Sequence, residues 1–138
     1  MQFQSDNLDH PIYVKSFDPV KPELIILSKV GKLDNPDNTI SKQILTSSAI
    51  ILFDRIISDW EPRQLSDLNT DHIKNIIAYK PEILIIGIGN TLSAIEYNIL
   101  EPLYLTKTPF EIMTTTNACR TYNLLASEHR KVAVALII

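Results

Sequence analysis

Cys119 is the chain's only cysteine, and it lies where a polar run leads into a predicted helix. The run Thr-Thr-Thr-Asn at residues 114–117 connects a strand-like segment, Phe110 to Met113, with helix-forming residues from Ala118 onward. Backbone amides and the positive end of the helix dipole favour a thiolate at such a position, and the neighbouring Arg120 adds positive charge. A reactive thiol or a bound anion is therefore chemically reasonable here.

The same residues also have a structural interpretation, which we favour. The threonine hydroxyls and Asn117 can cap the helix while Cys119 packs as a small apolar side chain. A helical wheel puts Cys119 beside the apolar face of the helix and turns Arg120 and Asn123 away from that face. The apolar face consists of Tyr122, Leu125 and Ala126.

A cysteine-dependent enzyme would also need a general base within hydrogen-bond reach of the thiol. His129 comes ten residues later along the predicted helix, which would put it about 15 Å away and too far to act as that base. His10 or His72 would have to approach through tertiary folding, and no sequence pattern places them there. No catalytic residue is therefore assigned.

A second turn, Gly87-Ile88-Gly89-Asn90, holds two of the chain's three glycines between an apolar strand and a predicted helix. A dinucleotide-binding turn would need a third glycine where Leu92 stands and an acidic residue at the end of the next strand. Both are missing, and no Gly-Lys-Ser/Thr triplet follows. The pattern favours a plain strand-to-helix turn.

The two turns would lie together if the strands that start at Ile83 and Phe110 are parallel, because both turns then emerge at one edge of the sheet. They would flank a crevice that offers backbone amides, hydroxyls, a thiol and a guanidinium to a small anion. The candidate ligand-binding residues are Gly87, Gly89, Asn90, Thr115, Thr116, Asn117, Cys119 and Arg120.

The elements that would position these turns change character near residue 60. Residues 1–60 carry prolines between short β-type runs and predict an antiparallel lead-in. Residues 61–138 alternate helical and apolar strand segments, which favours a sheet covered by helices. We expect one α/β domain over residues 1–138, with three layers and a mixed central sheet. The predicted strands are 12–17, 24–27, 49–57, 83–86, 110–115 and 132–138, with helices beginning near residues 70, 93 and 117.

Local signals set the predicted ends of the helices. Thr70 is a suitable N-cap for the first helix, and Pro81 predicts that this helix stops at the preceding residue. Ser93 and Glu96 fit a capping box for the second helix, which Pro102 should break or kink about two turns later.

Composition and charge exclude several classes of function. The net charge of −3 gives no broad positive field, and the only basic cluster is residues 129–131, so nucleic acid is not an expected partner. No apolar stretch approaches the roughly 20 residues that span a bilayer, and the N-terminus lacks a signal pattern. We therefore expect a cytoplasmic protein with no integral membrane segment. One cysteine and three scattered histidines predict no internal disulfide, no metal and no cofactor.

Three segments carry a resemblance to a known family: Ile-Leu-Ile-Ile-Gly-Ile-Gly at 83–89, Glu-Ile-Met at 111–113, and the run at 118–128, which begins with Ala-Cys-Arg-Thr-Tyr-Asn. Over most of its length, and most strongly from about residue 81 onward, the chain resembles the family of mitochondrial complex I assembly factor 3 and the adipogenesis-associated domain protein. The resemblance implies a three-layer α/β domain and no established enzymatic activity. It also implies help with the assembly of respiratory NADH:ubiquinone oxidoreductase through protein contacts. The chain departs from the family at Ile88, where threonine is common, and at residues 92–95, which contain no arginine.

Two functional hypotheses follow from these residues and from the resemblance. The preferred one is a non-enzymatic interaction protein with an unidentified protein partner, which aids the assembly of a respiratory or other membrane complex. The alternative is a small-anion-binding protein or a cysteine-dependent enzyme that uses the helix start at residues 117–120. Self-association into a homo-oligomer is left open.

Overall fold

The fold of the computed structural model, which describes Phe3, residues 11–29 and residues 40–138, contains two β-sheets and three α-helices. The strands are β1 (Ile12–Asp18), β2 (Glu23–Lys29), β3 (Ile40–Leu45), β4 (Ala49–Ile51), β5 (Ile56–Ile57), β6 (Ile83–Gly87), β7 (Phe110–Met113) and β8 (Val132–Leu136). The helices are α1 (Thr70–Ile77), α2 (Tyr97–Leu105) and α3 (Thr115–Ser127).

The smaller sheet has the order β1-β2-β3, and both of its pairs are antiparallel. The antiparallel lead-in expected from the sequence is therefore confirmed for β1 and β2. Strand β3 was not predicted, because most of its side chains are exposed and its sequence lacks an apolar face. Pro36, which was part of the lead-in pattern, lies outside the described residues.

The larger sheet has the order β5-β4-β8-β6-β7. Strand β6 pairs in parallel with both β8 and β7, whereas β4 pairs antiparallel with β8 and with β5, so the sheet is mixed. The single strand predicted over residues 49–57 is instead a hairpin. Its two strands are closed by a hydrogen bond from the Leu52 amide to the Arg55 carbonyl at 2.8 Å, and they belong to the larger sheet rather than to the lead-in.

The larger sheet is the middle layer, and different elements bury its two faces. Helices α1 and α2 cover one face, where fully buried Ile73 and Ile76 pack with Leu84 and Ile86 of β6. Helix α3 and the smaller sheet cover the other face, and their apolar side chains form a second core with alternate residues of β6 and β8 such as Ile85. The continuous apolar strands β6 and β8 are thus buried on both faces, as their sequences predict. The three-layer α/β prediction is confirmed.

The ends of the first two helices differ from the sequence prediction. Asn69, not Thr70, caps α1, since its side-chain oxygen accepts the His72 amide proton at 3.0 Å. The capping box predicted at Ser93 is wrong, because α2 begins only at Tyr97 and its N-cap residue makes no side-chain capping bond.

Pro102 lies inside α2 without ending it. A proline has no amide proton, so it cannot bond to the carbonyl four residues before it, which belongs to Asn98. The Thr70 hydroxyl approaches that carbonyl oxygen at 3.4 Å from α1. Packing against the neighbouring helix therefore supplies a donor in place of the missing helical bond.

Candidate functional site

The two turns singled out in the sequence meet at one edge of the larger sheet. Strands β6 and β7 are parallel, with Gly87 opposite Met113, and the Ile88 amide donates to the Met113 carbonyl at 3.0 Å. The expected parallel pairing is therefore confirmed, and it places residues 87–90 beside the start of α3.

Direct hydrogen bonds join the turns. The Gly89 amide donates to the Thr115 hydroxyl oxygen at 2.9 Å, and the Thr115 amide donates back to the Gly89 carbonyl at 2.9 Å. The Thr115 hydroxyl in turn donates to the Ile137 carbonyl at 2.6 Å, just beyond the end of β8. Thr115 is completely buried, and its polar groups connect the ends of three adjacent strands.

The two glycines of the first turn have different physical roles. A Cβ atom at Gly87 would lie 3.0 Å from the Ala118 Cβ and 3.1 Å from the Thr115 Cα, so α3 packs onto β6 so closely that a side chain at this position would force its neighbours to shift. Gly89 has a φ of +99° with open space around its Cα, so glycine is needed there for backbone conformation.

Helix α3 begins earlier than the sequence analysis placed it. Thr114 is the N-cap, and its hydroxyl oxygen accepts the Asn117 amide proton at 3.4 Å. The capping role expected of the Asn117 side chain is therefore wrong, because that residue lies in the first turn and only its backbone takes part. Because the helix begins earlier, Cys119 lies in its second turn, away from the free amides at the N-terminal end.

The Cys119 thiol is completely buried in the core that joins α3, the smaller sheet and the larger sheet. Burial removes the water that would stabilise a thiolate, and it raises the pKa of Cys119 to about 12. The thiol is therefore protonated at neutral pH and packs as a small apolar group. The thiolate considered in the sequence analysis is not favoured at this position.

Two polar residues of α3 attach the helix to β1. The Asn123 side chain accepts the Val14 amide proton at 2.9 Å and donates to the Val14 carbonyl at 2.8 Å. The Tyr122 hydroxyl donates to the Ile12 carbonyl at 3.0 Å. Among the described strands, β1 has a neighbour on one side only, and these side chains bond backbone groups on its other side. The sequence prediction that Asn123 points away from the apolar face is wrong.

The remaining candidate residues lie nearer the surface. Asn90 is exposed, and its side-chain amide donates to the Pro19 carbonyl at 3.1 Å. Asn117 and Arg120 are exposed, and the Arg120 guanidinium carbon lies 6.0 Å from the centre of the Phe3 ring. Thr116 is partly buried. A ligand role for these residues stays a prediction.

A cavity of about 200 Å³ opens beside Gly89 and Asn90, between the larger sheet and the turn that joins β1 to β2. Exposed Arg63 lines it, and this residue was missed in the sequence analysis. No spacing in the sequence could have found Arg63, since it follows Pro62 in an irregular connection and reaches the cavity only through tertiary folding.

Two further expectations concern metal ions and membranes. Within residues 11–29 and 40–138, no group of three His, Cys, Asp or Glu side chains is placed to hold a metal ion. In the same part of the chain, no helix combines the length and the apolar character needed to cross a bilayer.

The family of the chain is established by comparison with known proteins. A family model described as a protein of unknown function (DUF498/DUF598) matches residues 30–137. The chain belongs to this family. A structure of a Xanthomonas campestris protein, solved by NMR, has a TM-score of 0.71 and 26% identity, covering 100% of this chain and 92% of its own.

Two relatives have names that bear on function. The chain is 33% identical over 102 residues to NADH dehydrogenase [ubiquinone] 1 alpha subcomplex assembly factor 3 of Drosophila melanogaster, which confirms the resemblance inferred from the sequence. The match covers 71% of this chain and 52% of the fly protein, so the chain spans about half the length of that assembly factor. It is also 26% identical, over 99% of both chains, to the 13 kDa major membrane protein of Francisella tularensis subsp. holarctica.

Proposed function

We propose that this chain is a non-enzymatic, cytoplasmic interaction protein that aids the assembly of a respiratory or other membrane complex. The observation that carries the proposal is its 33% identity to a complex I assembly factor over 102 residues. The name of the Francisella relative, a major membrane protein, agrees with a role at a membrane.

The chemistry of the family-like segment supports an interaction role over an enzymatic one. Its thiol is buried and protonated, and Tyr122 and Asn123 are engaged with the backbone of β1. These groups hold the layers together, and a side chain that is already bonded inside the core is poorly placed to act on a substrate. A role in binding then belongs to the outer surface.

Helix α2 presents large apolar side chains to solvent. Tyr97 is 62% exposed, Tyr104 is 52% exposed and Leu105 is 75% exposed. The two tyrosine rings stack on each other with their centres 5.3 Å apart, so they form one aromatic surface. Tyrosines are enriched at protein interfaces because they offer a large apolar face and a hydrogen-bonding tip. We expect the partner protein to place an apolar patch on this surface.

The test is affinity purification of the tagged chain from its native cell under gentle conditions, with and without an amine-reactive crosslinker. The wild-type chain is expected to retain a defined protein partner. The double variant Tyr97→Ser/Leu105→Ser should retain much less of this partner protein, because two large exposed side chains of α2 are removed. Leu124→Ser is the matched control, since Leu124 is 60% exposed on α3 and lies on the other side of the larger sheet.

The possible outcomes distinguish the proposed interaction role from its assignment to the exposed face of α2. Recovery of no protein above an untagged background, even after crosslinking, would contradict the interaction role itself. Equal recovery by the double variant and by Leu124→Ser would keep the role and exclude the α2 surface. Capture of a second, untagged copy of the chain alone would point to a homo-oligomer instead of a different partner.

A further inference from the structure

A half-open cavity of about 410 Å³ lies at the other end of the larger sheet from the two turns. Its apolar wall includes Phe53, Tyr122 and Ala126, and its rim carries the basic residues 129–131 that follow α3. The volume falls within the range of small-molecule sites, roughly 300–1,000 Å³. This basic cluster was noted in the sequence, and it has no part in the function proposed above.

The charges around the cavity leave its mouth positive. Asp54 is the acidic residue of the lining, and it pairs with Arg55, whose Nε lies 3.2 Å from a carboxylate oxygen. Arg130 pairs with Glu82 at 3.7 Å. Both pairs are exposed and therefore weak, so the two cations of the lining, Arg130 and Lys131, outnumber its one carboxylate. Among the described residues, the Lys131 ammonium has no carboxylate within ion-pair distance.

The Lys131 ammonium lies over the Phe53 ring, 5.0 Å from its centre. An aromatic face and an unpaired cation therefore occupy the same side of the opening. This combination is complementary to a molecule that has an apolar body and a single negative group, because the body can cover the ring while the charge meets the ammonium.

We propose that this cavity binds a small organic carboxylate with an apolar body, such as a medium-chain fatty acid. The chain of the ligand packs on Phe53 and Ala126, and its carboxylate contacts Lys131 and Arg130. The inference goes beyond the proposed interaction role and does not depend on it, since the cavity lies on the α3 side of the larger sheet and the α2 surface lies on the other.

The test is a titration of the ¹⁵N-labelled protein with decanoate below its micellar concentration, followed by NMR. Decanamide, which has the same chain without the charge, is the control ligand. Decanoate should shift the amide signals of residues 126–131 and should bind about tenfold more tightly than decanamide, as expected for one charge-assisted contact. Its binding should weaken as salt is added.

Two variants with the same change of charge test whether Lys131 at the rim contacts the ligand carboxylate. Lys131→Gln should weaken decanoate binding about tenfold and leave decanamide binding unchanged. Lys107→Gln, in the loop after α2, should change neither. If Lys131→Gln does not fold, Phe53→Ser is the second test variant. Phe53 is 42% exposed, and the loss of its ring should weaken the binding of both ligands.

Equal binding of decanoate and decanamide, equal effects of the two lysine variants, or no shift at residues 126–131 with millimolar decanoate would each overturn the proposal. Co-sedimentation with phosphatidylcholine vesicles that contain oleic acid tests the source of the ligand. It distinguishes an acid bound from solution from an acid bound at a bilayer. Sedimentation that is lost in Lys131→Gln supports the same site with a membrane source. A protein that binds decanoate but stays in the supernatant supports a soluble acid.

Discussion

Asn123 shows how one polar side chain can join two distant parts of the chain. It is 6% exposed, and it exchanges both of its hydrogen bonds with the backbone of Val14, 109 residues earlier. The strand register shifts between Val14 and Ser16, so this stretch of β1 is irregular and its outer edge needs partners. An asparagine fits because it carries one donor and one acceptor side by side.

Replacing this side chain should be costly. Asn123→Ala leaves a buried amide and a buried carbonyl of Val14 without partners, and we expect the free energy of unfolding to fall by about 2–4 kcal/mol. Chemical denaturation measures the change. Asn117→Ala on the exposed side of the same helix is the control and should change stability by less than about 0.5 kcal/mol. A fall of similar size in both variants would show that Asn123 does not hold β1.

The helices share an unusual way of ending. Lys80 after α1, Lys107 after α2 and His129 after α3 all adopt the left-handed backbone conformation, with φ between 53° and 61°. Glycine is the common residue at this position, because a Cβ atom is strained there. The amide of Lys80 donates to the Ile77 carbonyl at 2.8 Å, so the turn is fixed by a hydrogen bond despite the strain.

Relief of this strain should be measurable at Lys80. Lys80→Gly should raise the free energy of unfolding by about 0.5–1 kcal/mol, because glycine adopts a positive φ freely. The same substitution at Lys74, inside α1, should lower it by about 1 kcal/mol. Thermal unfolding of both variants is the measurement. Destabilisation of both by the same amount would mean that the backbone at Lys80 is not strained.

The elements also show what the sequence could and could not predict. The strands β6 and β7 and the layered alternation follow from local patterns, and these predictions are confirmed. The parallel pairing of β6 with β7 was only a condition in the sequence argument, and the structure meets it. The start of α3 was misplaced because three consecutive threonines all suit a cap, and only the fit against Gly89 selects Thr114. The burial of Asn123 depends on β1, a partner that no helical wheel contains.

At the scale of the whole molecule, α3 is the layer that holds the two sheets together. Its side chains share a core with both sheets, and its first turns lie directly against Gly87. The part of the sequence that most resembles the assembly-factor family therefore has a clear structural role. We propose that contacts with other molecules are made by outer surfaces, namely the exposed face of α2 and the cavity at the end of α3.

Close packing at Gly87 provides a test of this arrangement. Gly87→Ala should lower the free energy of unfolding by about 1–3 kcal/mol, because the new methyl group meets the Ala118 side chain at 3.0 Å. Adding Ala118→Gly should recover part of the loss, so the double variant should be more stable than the sum of the two changes predicts. The stability changes of Gly87→Ala and exposed Asn117→Ala should simply add. Simple addition for Gly87→Ala and Ala118→Gly as well would contradict the contact between Gly87 and Ala118.

The central claim is that the segment around Cys119 is internal structure and not a reactive site, and the alkylation rate of Cys119 tests it most directly. The rate should be at least on the order of 100-fold below that of the unfolded chain at neutral pH, insensitive to added phosphate and raised by denaturant. Because the pKa is raised from 9.0 to about 12, unfolding should become easier as the pH rises above 9.0, where only the unfolded chain ionises the thiol. Rapid alkylation of the folded protein at pH 7, or protection by phosphate, would contradict the account.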